Sequence, residues 1–305
     1  MQYLPAARGT AFGFEIHSKL PIGHLRNGEG DPLEIVAEDI PERPGAQDKL
    51  LIEWKPPASS FTARLYHDGH RFLFFVAGTG WFRIEPTVSR ITVPTTNDLS
   101  KIEDKLWGIP ALLCFTARGD HALHAAAVES NGGAVLIAGS NRLGRSAISA
   151  HFATSGSRVL SQDLACLRIT QHIGLVPGPS RLTLPKSFAG DLDMSSGNGT
   201  WSQHKDTLTL DATRRGTCKP VPVRSIVLLR AGDSTRLDPL IPAQAVSDLW
   251  STSFRLPTED DRSRCFQGVA DIATNVPVWV LQRDTADTDL HGLVERISSA
   301  ALEYA

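Results

Sequence analysis

Long apolar runs are missing from this chain of 305 residues. The longest, such as Ala134 to Ala138 and Ser225 to Leu229, fall far short of the ~20 residues a helix needs to cross a bilayer, so no membrane partner is expected. Runs of like charge are missing too. With 31 Lys and Arg against 33 Asp and Glu the formal net charge is −2, which argues against a nucleic-acid partner and leaves room only for a local basic pocket. The first seventeen residues lack a basic segment followed by an apolar one, so no signal peptide is read and a cytoplasmic location is expected. Cysteine is scarce. Cys114, Cys166, Cys218 and Cys265 lie far apart, with no CxxC and no histidine at ligand spacing, and read as small buried hydrophobes in a reducing compartment. His67 and His70 form an HxxH, but Asp68 and Gly69 between them have the chemistry of a hairpin turn rather than a metal site. No internal repeat is seen.

What is present suits a folded chain of about two domains: 41% hydrophobic and 21% charged residues are ordinary globular usage. Residues 1–96 read as a β-rich N-terminal domain. Phe12, Phe14 and Ile16 alternate with smaller or polar neighbours, and aromatic runs follow near residues 71–76 and 81–84, which predicts antiparallel strands. The period then changes. Asn97 and Asp98 precede a capping-box spacing, and Ile102, Leu106, Ile109, Leu112 and Leu113 recur at helical intervals. A connecting helix is therefore expected over 97–120, kinked or divided at Pro110.

Residues 121–305 read as an α/β unit. Strands are expected near 125–129 and 134–138, the latter apolar on both faces, with a turn at Asn131-Gly132. Next come Gly139-Ser140-Asn141-Arg142-Leu143-Gly144-Arg145-Ser146, a helix from Ala147 to Ala153, and a strand at 158–160 leading to Gln162-Asp163. Strand, glycine loop, helix, strand is the order of a phosphate site, because glycines let backbone N–H groups turn toward one anion and the helix N-terminus adds its dipole. Gly139 and Gly144 have the G-x-x-x-x-G spacing, but the next residue is Arg145 where Lys is usual. Two glycines at this spacing also start helices that bind nothing. Asp163, at the carboxyl end of the following strand, adds weight to a ligand site. Beyond it, 193–206 reads as a mobile loop, 225–229 and 276–281 as strands, and 243–255 and 287–304 as helices.

The stretch from Leu123 to Leu167 resembles the core of the HPr kinase/phosphorylase superfamily, which is related to ATP-dependent phosphoenolpyruvate carboxykinase. The likeness rests on His124 fifteen residues before Gly139, on the glycine loop, and on Gln162-Asp163 where relatives carry an Asp pair. The segments Leu123-His124-Ala125-Ala126-Ala127-Val128, Pro177-Gly178-Pro179-Ser180-Arg181-Leu182 and Val221-Pro222-Val223 are similar to those of the peptide-serine kinases found with lasso-peptide and other ribosomal-peptide genes. The resemblance implies an HPr-kinase-like P-loop core in 121–305, with ATP and Mg²⁺ as cofactors and a serine hydroxyl on a precursor peptide as acceptor. Biosynthetic partner enzymes would accompany it.

Carried onto this chain, residues 139–147, from Gly139 through Ser140, Asn141, Arg142, Leu143, Gly144, Arg145 and Ser146 to Ala147, would cradle the nucleotide. Ser146 and Asp163 would hold the metal, and His124, Asp163 and Gln162 would be catalytic. Arg181 and Lys205 are further basic residues that either face the phosphates or are simply solvated. Four positions depart from the family: Asn141, Arg142, Arg145 and Gln162. A Gln cannot take a proton, and an arginine folded into the loop would displace phosphate. The alternative to a kinase is thus a catalytically silent relative that binds a peptide, a nucleotide or a partner; a changed phosphate donor is a third reading.

Overall fold

A computed structural model describes residues 8–40, 44–55, 62–95, 98–139, 143–192, 199–204, 206–212, 218–284 and 289–302. The chain is a mixed α/β protein. Its first half forms one sheet from Thr10–Ala11 (β1), Phe14–Ser18 (β2), Asp31–Ala37 (β3), Lys49–Trp54 (β4), Ala63–His67 (β5), Phe72–Val76 (β6), Gly80–Glu85 (β7) and Arg90–Val93 (β8). The strand order is β1-β2-β3-β8-β7-β6-β5-β4. The run β4 to β8 is antiparallel as its alternation predicts, but β2 pairs parallel with β3 and β3 parallel with β8. Side-chain period fixes which face is buried and carries no information on strand direction, so the all-antiparallel expectation is corrected here. Between β5 and β6 the carboxylate of Asp68 accepts from the backbone N–H of His70 and Arg71, both at 2.9 Å, closing the turn at the HxxH. His67 stacks on Phe72.

The predicted connecting helix is two: Leu99–Leu106 (α1) and Ile109–Ala117 (α2). Asp98 caps the first by accepting from the Lys101 backbone N–H. Pro110 falls in the first turn of the second, where its missing N–H costs nothing. All residues of α2 from Pro110 to Phe115 are buried, because it packs in the core of the N-terminal sheet, which Ala122, Cys166 and Val176 of the second half also enter. Arg26 ties the halves further. Its buried guanidinium donates to the carbonyls of Gly178 (2.7 Å), Val159 (2.7 Å) and Leu160 (3.1 Å), and burial drives its pKa down to about 10.

The second half is built on His121–Leu123 (β9), Ala125–Ser130 (β10), Gly133–Gly139 (β11), Arg145–Thr154 (α3), Arg158–Ser161 (β12), Ala165–Ile169 (β13) and Ile173–Val176 (β14). After these come Arg181–Pro185 (β15), Gly199–His204 (β16), Thr207–Ala212 (β17), Val221–Ala231 (β18) and Arg236–Leu240 (β19). The chain continues through Pro242–Thr252 (α4), Glu259–Asn275 (α5), Val278–Arg283 (β20) and Leu290–Leu302 (α6). In the large sheet β12, β11, β18 and β20 run in one direction, with β10 inserted antiparallel between β12 and β11 and β19 antiparallel beyond β20.

The sheet is covered on both faces, which explains the unbroken apolar strand at β11. Ala134, Leu136 and Ala138 pack toward α4 and α5, while Val135 and Ile137 pack toward α3 and α6. Asn131 and Gly132 both have positive φ, as a two-residue hairpin between β10 and β11 requires.

Two expectations fail. Much of the stretch 193–206 read as a loop is strand: β16 pairs with β17 and β17 with β15. Leu208, Leu210 and Ala212 bury with Leu182 and Leu184 against Ala150 and Ala153 of α3. Polar composition hid this, since only one face of the small sheet is dry. Residues 193–198 lie outside the described residues. The helix α5 was not foreseen, although Thr258 caps it and Glu259, Asp260 and Asp261 fill its first turn, each favourable at a helix N-terminus. No helix among the described residues is long and apolar enough to cross a membrane.

Candidate functional site

Strand topology gathers the site. Strand β10 begins where its antiparallel neighbours β11 and β12 end, so His124, just before β10, comes to the same end of the sheet as Gly139 and Asp163. The carboxyl ends of parallel-running strands are where ligands of α/β sheets bind, because the connections diverge there and leave a crevice. Gly139 has φ +120° and a Cβ on it would come within 2.8 Å of the Leu229 carbonyl oxygen, so the chain can leave β11 here only as glycine. Gly144, at φ +86°, is the left-handed residue that starts α3.

Arg145 is the first residue of α3, and its side chain is 1% exposed. The guanidinium turns inward: Nη2 donates to Asp163 Oδ1 at 2.6 Å, and Nη1 to the carbonyls of Gly139 at 3.2 Å and His124 at 3.4 Å. Desolvation pulls its pKa below the usual arginine range, opposed by Asp163. A second arginine meets the start of α3. Arg283, at the end of β20, donates to the Leu143 carbonyl at 2.5 Å and packs against the space beside Gly144. Leu143 and Ser146 are half-buried and Ala147 is buried on α3. Ser140, Asn141 and Arg142 lie outside the described residues, as does Lys205.

His124 Nδ1 lies 2.9 Å from the Asp163 carbonyl oxygen. A carbonyl only accepts, so Nδ1 carries the proton and the neutral ring keeps its lone pair on Nε2. Crowding by protein atoms, then the Arg145 charge, lowers its pKa, which keeps the ring neutral near pH 7. Asp163 is 52% exposed. Gln162 is committed elsewhere: its Nε2 donates to the Thr183 carbonyl at 2.7 Å and its Oε1 accepts from the Thr183 N–H at 2.9 Å. The side chain thus mimics a strand partner, fastening the end of β12 to β15 and leaving its amide little to offer a substrate.

His124, Gln162 and Asp163 line a cleft of about 470 Å³ between the two halves of the molecule, a size suited to a small ligand or a peptide side chain. Its other walls include Phe12, Trp54, Trp107, Leu112 and Phe254. Arg181 is ion-paired with Asp104 of α1 on the rim, so it faces the cleft with its charge already matched. A larger groove of about 760 Å³ follows β2 and β3, and none of the site residues borders it. Arg283, Trp54 and Phe254 had no signal in the sequence, because each reaches the site from an element far away in the chain.

The fold is mixed α/β, and His124, Gln162 and Asp163 border the cleft between its two halves. No family model matches the chain, and no curated protein matches it. Among solved structures it is similar to the Hpr(Ser) kinase/phosphatase from Coxiella burnetii, with 14% identity over 58% of this chain and 91% of that one, at a TM-score of 0.31.

Proposed function

We propose that the protein is a kinase-like phosphotransferase that passes phosphate from ATP to a hydroxyl held in the 470 Å³ cleft, a serine of a peptide being the acceptor that the sequence resemblance suggests. The observation that carries this is the convergence of Gly139, Arg145 and Asp163 at one sheet end, beside the N-terminus of α3, with Asp163 also lining that cleft. Phosphoryl transfer depends mostly on positioning and charge stabilisation, and these are the groups that supply both. The residues that would hold ATP and Mg²⁺ are the loop amides, Arg145, Ser146 and Asp163; the arginine must first leave Asp163, so the ion pair acts as a latch over the phosphate position. Asp163, once released, orients the acceptor hydroxyl, and the apolar cleft walls exclude water.

A second reading has its own support. Arg145 is buried and paired with Asp163, and Gln162 is tied to Thr183, an arrangement equally suited to a silent fold that binds a ligand in the cleft without catalysis. Thermal unfolding in the presence of ATP, ADP or pyrophosphate, with and without Mg²⁺, separates the two. Nucleotide binding to the folded state raises apparent stability by about 2.7 kcal/mol at a hundred times Kd. A magnesium-dependent rise supports the phosphotransferase; no rise at millimolar nucleotide refutes it.

A further inference from the structure

We infer that the open edge of β4 is a docking strand for an extended, acidic peptide whose chain continues into the cleft. Strand β4 ends the N-terminal sheet, paired on one side with β5 and, among the described residues, with no strand on the other. Such an edge offers a row of unpaired backbone donors and acceptors. It leads to the site, because Trp54 at the end of β4 lines the 470 Å³ cleft.

Next to that cleft lies a second hollow of about 280 Å³, sharing Trp54, Ser253 and Phe254 with it. Ile52 and Trp54, two residues apart on β4, form its apolar side, and Arg255 and Arg262 its charged side, with no carboxylate in the lining. Arg255 is held in place over the Trp250 ring, 3.9 Å from its centroid, and donates to the Trp250 and Ser253 carbonyls. Arg262 is exposed and forms no ion pair among the described residues. Lys49 and Lys55 are exposed at either end of β4, whereas Glu53 on the strand is already paired with Arg64.

Lysines alone would serve to discourage edge-to-edge association. Two arginines in an apolar hollow beside the edge do not serve that purpose; they match a carboxylate on the incoming chain. Strand addition supplies affinity through the main chain, and alternate side chains fill pockets that set specificity. One side chain would enter the arginine hollow and a later one the cleft. The placement of the acceptor residue rests on the phosphotransferase reading; the docking itself does not.

The test is selection of a random twelve-residue phage-displayed library against the full chain without nucleotide, followed by fluorescence polarisation of the enriched peptides. Enrichment of β-branched sequences carrying Asp or Glu is expected. Arg262→Glu, an exposed change, should weaken them at least tenfold and reverse the preference toward Lys, and alternate-residue N-methylation of the peptide should abolish binding. No enrichment, enrichment indifferent to Arg262→Glu, or binding that survives N-methylation overturns the inference. So does a dimer in solution that Leu50→Lys dissociates, which would place a second copy on the edge. A bound peptide with serine at each position beyond the one that enters the arginine hollow, accepting no phosphate from ATP, would overturn the phosphotransferase reading and leave the docking strand standing.

Discussion

Replacing the two partners of the loop ion pair one at a time should give unequal results. Asp163→Asn leaves the Arg145 guanidinium buried without its carboxylate. One-sided removal of a buried pair costs about 3–5 kcal/mol, but Asp163 is 52% exposed and the carbonyls of Gly139 and His124 still accept from Arg145. Solvent access and those two contacts reduce the expected loss to about 1–2 kcal/mol. Arg145→Met instead removes a charge whose desolvation is unfavourable, as its lowered pKa shows, and fills the space with an unbranched apolar chain; stability should change by less than about 1 kcal/mol in either direction. Urea unfolding followed by fluorescence of the six tryptophans measures both. If Arg145→Met loses more than Asp163→Asn, the arginine is there for the fold, and the argument that a costly buried charge is retained for ligand binding fails.

Gln162→Glu, which on resemblance alone would restore a carboxylate to the site, should instead lose about 1–3 kcal/mol, because a carboxylate cannot donate to the Thr183 carbonyl; urea midpoints equal to wild type would show the clamp to be unimportant. Arg26→Met should lose about 2–4 kcal/mol in the same assay, since the Gly178 and Val159 carbonyls lose their donor while Leu160 keeps the Gly178 N–H. The two halves share a core and this arginine, so calorimetry should show one unfolding transition, and two separated transitions would refute that coupling. His121 and His124 both fold with pKa values lowered from 6.5, chiefly by desolvation. The unfolded chain therefore binds more protons, so their contribution is complete above about pH 6.5 and is lost as the pH falls below it; a urea midpoint that rises on acidification from pH 7.5 to 5.5 in wild type, but not in His121→Gln, would reverse the assigned sign.

Local chemistry determined much of this protein. The Asn131-Gly132 hairpin, the break at Pro110 and the course of β11 into α3 follow from glycine and proline stereochemistry and from side-chain period, which act over a few residues and need no distant partner. Period-two alternation and the aromatic runs also placed β2, β6 and β7. They were silent on the parallel pairings of β2, β3 and β8, and the polar look of 199–212 concealed strands whose dry face exists only because α3 lies against it. The same division holds at the site. Gly139, Arg145 and Asp163 stood out by spacing, but the direction in which Arg145 points, the engagement of Gln162 by Thr183, and the approach of Arg283 from β20 were decided by tertiary contacts between residues 18, 21 and 140 positions apart. A side chain's partners at such separations depend on how whole elements pack, and one arginine can either reach for an anion or neutralise a nearby carboxylate with no change in the local sequence.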